Sequence, residues 1–143
     1  MLAVRRLAFV LVTVLALAAC GGSGHSSGAN DQAQIKSAYL KFFSSKTPTD
    51  QRVAVLQNGS KFKPLVTSFA NNPLAKKVSA TVSSVTLQGA DKAKVVYDVK
   101  VAGASLGKQN GTAVRQNGTW KVGYASLCKL VALGGKTPSA CKS

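Results

Sequence analysis

Residues 92–101 read Lys-Ala-Lys-Val-Val-Tyr-Asp-Val-Lys-Val, a run in which Ala93, Val95, Tyr97, Val99 and Val101 alternate with Lys94, Asp98 and Lys100. One apolar and one charged face at a period of two predicts a strand with one side on a core and the other in water. Upstream, Val78, Ala80 and Val82 keep the same alternation, and Val85 and Leu87 resume it with opposite parity. The slip at Ser83-Ser84 therefore predicts a β-bulge that bends the strand. Downstream, a third strand over 108–116 leads into Asn117-Gly118, a strong two-residue hairpin signal. The fourth strand carries Trp120, Val122 and Tyr124 on one face. If the hairpin closes at Gln116 and Thr119, Arg115 lies opposite Trp120, Ala113 opposite Val122 and Gly111 opposite Tyr124. Small residues facing large aromatics permit either tight helix packing or a cavity.

Before Pro73 the period is helical. Asn30 and Asp31 are good caps ahead of Ile35, Ala38, Tyr39, Phe42 and Phe43, which fall on one helical face. Thr47-Pro48-Thr49-Asp50 starts a second helix with Val53, Ala54 and Leu56 on its buried side, stopped by Asn58-Gly59. A third short helix is expected from near Pro64, burying Leu65, Val66 and Phe69, and Asn71-Asn72-Pro73 ends it. Helices followed by a four-strand antiparallel meander predict an α+β fold, its N-terminal helices packed on a curved sheet.

The opening of the chain is read as an address. Arg5 and Arg6 precede an almost wholly apolar run from Leu7 to Ala18. Twelve helical residues span about 18 Å, too short for a bilayer core of roughly 30 Å, which is the pattern of a signal peptide. The run ends in Leu17-Ala18-Ala19-Cys20, which resembles the bacterial lipobox, whose cysteine thiol receives a diacylglyceryl group before cleavage in front of it. The expected organisation is a signal peptide over 1–19, lipidated Cys20 with a flexible Gly/Ser tether over 20–29, and one domain over 30–143. Two acyl chains suffice for stable anchoring, so the expected location is the extracytoplasmic face of the cell membrane. His25, alone in the tether, has no orienting partner in the sequence.

The 143 residues carry 19 Lys and Arg against 4 acidic residues, no Glu and one His. Removal of 1–19 takes Arg5 and Arg6 and leaves a net charge of +13 on the mature chain. Histidine metal clusters are excluded, and no cofactor is expected. Setting Cys20 aside leaves Cys128 and Cys141, an even pair in an oxidising setting, and a disulfide between them is predicted; two free thiols are the alternative. The lysines are dispersed without interleaved aromatics, which argues against nucleic acid. An exported cationic domain is instead drawn to anionic lipid headgroups or phosphate-bearing envelope polymers. Asn58-Gly59-Ser60, Asn110-Gly111-Thr112 and Asn117-Gly118-Thr119 match the N-glycosylation pattern but read as turns.

Several segments together resemble a known family: Ile35…Ala38-Tyr39…Phe42-Phe43, Arg52…Leu56-Gln57-Asn58-Gly59, Val95…Tyr97-Asp98-Val99, Gly111-Thr112-Ala113-Val114, Gly118-Thr119-Trp120-Lys121-Val122 and Leu127-Cys128…Cys141. In order and spacing they are similar to the low molecular weight antigen family of secreted proteins and lipoproteins from mycobacteria and related actinobacteria. The resemblance implies a cone-like fold similar to nuclear transport factor 2 and the cystatins, and it agrees with the Cys128–Cys141 pairing. It transfers no catalytic residues. Some cone-shaped relatives are isomerases or cyclases that use an Asp or His as base. Here Asp98 shares the outward face with Lys94 and Lys100, Asp31 and Asp50 are helix-start residues, and Asp91 sits in a turn. The expected function is therefore non-catalytic, a surface-displayed binding or scaffolding domain with a basic surface. The alternative is a carrier for an apolar or amphiphilic ligand in a helix–sheet cleft, with Tyr39, Phe62, Tyr97, Arg115, Trp120 and Tyr124 as candidate lining; a cyclase or isomerase is a remote alternative.

Overall fold

The computed structural model describes residues 27–135 and 137–142; the expected signal peptide, Cys20 and most of the expected tether lie outside them. Three helices come first, α1 (Ser27–Phe43), α2 (Thr49–Ala54) and α3 (Gly59–Asn71), then a 3-10 turn over Pro73–Lys77. Four strands follow, β1 (Val78–Leu87), β2 (Lys92–Val101), β3 (Ala104–Gln116) and β4 (Thr119–Val122). A last helix, α4 (Tyr124–Ala132), leads to a short 3-10 turn over Ser139–Cys141. The strands pair in chain order into one antiparallel sheet, which curls into a half-barrel around the helices.

The alternating face of β2 is buried as its pattern requires: Ala93, Val95, Tyr97 and Val99 face the core while Lys94 and Lys100 are exposed. The bulge in β1 is where the parity slips. Val82 pairs with Tyr97 and Ser84 with Val96, leaving Ser83 as the extra residue. Without that extra residue, Val85 and Leu87 would face water while Val78 and Val82 faced the core. A second irregularity lies between β2 and β3, where Asp98 pairs with Lys108 but Lys100 with Ser105. It falls in 104–107, the start of β3 that the predicted strand over 108–116 omits.

The hairpin register across Asn117-Gly118 is as expected, with Arg115 opposite Trp120 and Ala113 opposite Val122. The expected pairing of Gly111 with Tyr124 does not form, because β4 ends at Val122 and Tyr124 opens α4. Gly123 donates its N–H to the Thr112 carbonyl at 2.7 Å and turns the chain there. The β2–β3 connection is a second two-residue hairpin, Ala102-Gly103, with φ of 53° and 85°. An alanine in that left-handed region costs about 1 kcal/mol, and without an Asn-Gly step the turn gives no sequence signal.

α1 begins at Ser27, so residues 27–29 are helix, not tether, and Asp31 lies within the helix instead of capping it. Its buried stripe is the expected one, Ile35, Ala38, Tyr39, Phe42 and Phe43, laid across β1 and β4. α3 begins at Gly59, five residues before the expected Pro64, and Ala54 of α2 is exposed where burial was expected. Pro64 is tolerated because it lies on the exposed side of the helix, near its start, where the unpaired Ser60 carbonyl can meet water. The segment between α2 and α3 covers the end of the outer edge of β4 at Val122: Leu56 forms a parallel bridge to Val122, Gln57 N donates to the Val122 carbonyl and Val122 N to the Val55 carbonyl, both at 2.8 Å. The Cys128–Cys141 disulfide expected from the cysteine count joins α4 to the last turn, with Cα atoms 5.6 Å apart.

Candidate functional site

The six residues expected to line a helix–sheet cleft form three packed pairs. Tyr39, Phe62, Tyr97 and Trp120 are buried, and their rings fill the space that a cleft would need. Tyr39 meets Tyr97 with ring centroids 5.0 Å apart, and Phe62 stacks on Tyr124 at 5.3 Å. The Arg115 guanidinium covers Trp120 at 4.8 Å, pairs with Asp31 at 2.7 Å and donates to the Ala90 carbonyl at 3.1 Å.

The small residues opposite these aromatics make the close packing possible. A methyl group at Gly111 would collide with the Tyr39 hydroxyl, Ser126 Oγ at 2.7 Å and the Tyr97 ring at 2.8 Å. Because β3 leaves that space, Tyr39 reaches the strand and donates its hydroxyl to the Thr112 carbonyl at 2.7 Å. Its one proton being so used, the hydroxyl accepts from Ser126 Oγ at 3.1 Å. Burial pushes the Tyr39 phenol well above its ordinary pKa, against the opposing hydrogen bond from Ser126, and raises Tyr97 for the same reason. These hydroxyls are held neutral inside a packed core.

An opening exists elsewhere. A groove of about 700 Å³ runs between the C-terminal half of α3, the 3-10 turn after it, the neighbouring strand ends and α4. Leu65 and Phe69 supply one wall, Val78, Val101 and Leu106 the sheet side, and Leu130, Val131 and Leu133 the other wall. Leu74, Leu106 and Leu133 are 59%, 42% and 66% exposed, and they are three of the four large apolar side chains left exposed among the described residues. Isolated exposed leucines are ordinary; three converging on one concavity form a contiguous exposed apolar patch. Lys76 and Lys77 sit in the same turn as Leu74, and Lys100 precedes Val101 in β2. None of the six expected cleft residues lines this groove. Its exposed leucines, Leu74, Leu106 and Leu133, lie in segments without a clear period, so the one available signal was their isolation.

The aspartates have partners or turn positions of their own. Asp31 pairs with Arg115 and Asp50 with Lys63 at 2.9 Å. Asp98 accepts from Ser105 Oγ at 2.7 Å, and the Asp91 carbonyl accepts the Arg115 N–H.

Fold and site together define a small α+β half-barrel domain with one end packed shut and one apolar groove left open. The family model of the low molecular weight antigen MTB12 C-terminal domain matches residues 28–138, and the chain belongs to this family. No curated protein matches the chain at a significant level.

Proposed function

We propose that this chain is a non-catalytic envelope lipoprotein, anchored through Cys20, whose domain binds an amphiphile. The apolar part lies in the groove, and the basic surface favours an anionic molecule. The observation that carries this reading is the open groove of about 700 Å³ with Leu74, Leu106 and Leu133 exposed along it. That volume lies in the range of small-molecule sites, roughly 300–1,000 Å³. The groove keeps the carrier reading while moving its site from the aromatic residues to the leucines. Docking on anionic headgroups or envelope polymers is the second reading, favoured by the charge of +13 on the mature chain.

Native mass spectrometry of the Cys20→Ala chain tests the proposal. The variant is expected to leave the membrane fraction and to carry a lipid-sized adduct, which Leu74→Ser with Leu133→Ser removes. Retention in the membrane counts against the anchor. Recovery of the bare chain mass, with no adduct after incubation with envelope lipid extract, counts against the carrier.

A further inference from the structure

Arg52, in α2, is a buried charge that the described residues leave largely unanswered. It is 3% exposed. Its Nη2 donates to the Ser44 carbonyl at 2.6 Å, just beyond the end of α1, where carbonyls with no helical partner favour a cation. That contact uses one of the five guanidinium donors. Nε and Nη1 are buried and have no acceptor among the described residues. The chain has no Glu, and three of its four aspartates are engaged elsewhere, by Arg115, Lys63 and Ser105, while Asp91 is exposed in the β1–β2 turn. Burying an unpaired charge costs several kcal/mol, and folded chains seldom retain one without a partner.

The neighbour of this guanidinium is the ring of Phe69, whose centroid lies 5.9 Å from the Arg52 Cζ. Phe69 is also part of the groove wall. One aromatic side chain, itself only half-buried, is therefore shared by the wall of an apolar groove and an arginine that lacks an acid. A phenyl ring turns by rotating about its χ1 and χ2 bonds, with no backbone rearrangement.

We propose that Arg52 is the anion-binding end of the groove, where it takes the carboxylate of a fatty acid whose chain lies along the leucines once Phe69 has turned aside. This deepens the amphiphile reading and rests on it. A carboxylate matches the guanidinium because its two oxygens can accept paired N–H donors, and the exchange of water for that contact occurs away from competing solvent. Lys76, Lys77 and Lys100 are exposed and meet any anion near the groove mouth through water, so their attraction is screened by salt far more than that of a buried pair.

Calorimetric titration of the mature chain with lauric acid and with methyl laurate, below their micelle concentrations, tests this. At about 0.5 M salt, where surface attraction is screened, the acid is expected to bind at least about tenfold more tightly than the ester. Arg52→Met is expected to abolish the preference and bring the two ligands to equal affinity. Equal affinity of acid and ester for the unaltered chain overturns the role of Arg52 while the groove stands. Binding of neither overturns the groove reading and this inference together. A preference for the acid that survives Arg52→Met, or that vanishes with salt, assigns the anion to surface lysines and overturns the proposal. The comparison in the unaltered chain does not depend on the variant folding.

Discussion

The two ends of this half-barrel are built from similar material and finished differently. At the closed end, Tyr39, Tyr97 and Ser126 crowd into the space left by Gly111, and the Tyr39 hydroxyl has both a carbonyl and a serine partner. Even the cation there, Arg115, has a carboxylate, a carbonyl and an indole face. At the open end, leucines face solvent and a buried arginine has one carbonyl. Interiors pack to the density of organic crystals wherever stability alone decides. The concave apolar surface beside a largely unanswered charge is the feature on which the proposed binding of an amphiphile rests.

The contrast is most easily broken at Gly111. Gly111→Val is expected to cost about 3 kcal/mol or more, because backbone and three buried side chains would have to move together; urea unfolding reads it as a fall in midpoint. A loss under about 1 kcal/mol would mean that the closed end yields as readily as the open one. The buried phenols give a second, smaller effect at high pH. Tyr39 and Tyr97 are both raised above the ordinary value near 10, so their contribution is complete below that pH and is lost as pH rises toward their folded values. Each pH unit in that window costs up to about 1.4 kcal/mol per tyrosine held neutral. Tyrosinate absorbance should consequently appear together with unfolding, and Tyr39→Phe should reduce the slope of stability against pH. The smallest effect belongs to the open end: Leu74→Ser with Leu133→Ser is expected to change stability by less than about 0.5 kcal/mol per site. Thermal melts of that double variant sharpen the comparison, since a large loss would make the groove a part of the core.

The sheet was legible wherever the side-chain period was clean. The alternation in 92–101 announces β2, the parity slip at Ser83-Ser84 announces the bulge, and Asn117-Gly118 announces its hairpin with the register of Arg115 and Trp120. Legibility failed where tertiary contacts overrode local pattern. Trp120, Val122 and Tyr124 continue a strand period that the chain abandons at Gly123, so α4 was hidden. Ala102 takes a backbone conformation that its side chain disfavours, so the second hairpin gave no sign. The Tyr39–Tyr97 and Arg115–Trp120 pairs were recognisable as large residues facing the core, but sequence could not decide between filling and opening. The groove is assembled from single leucines far apart in the chain. Arg52 looks like any polar residue on a short helix until its surroundings are known.

The bridge from Leu56 to Val122 has a consequence for self-association. A four-strand sheet normally offers two rims of unsatisfied backbone groups on which further copies can grow. Here the rim at β4 is stoppered by the chain's own Val55–Gln57 segment, leaving β1 as the one rim without a strand partner among the described residues. Growth of the sheet by addition of a further strand is thereby hindered at Val122 and favoured at the β1 rim.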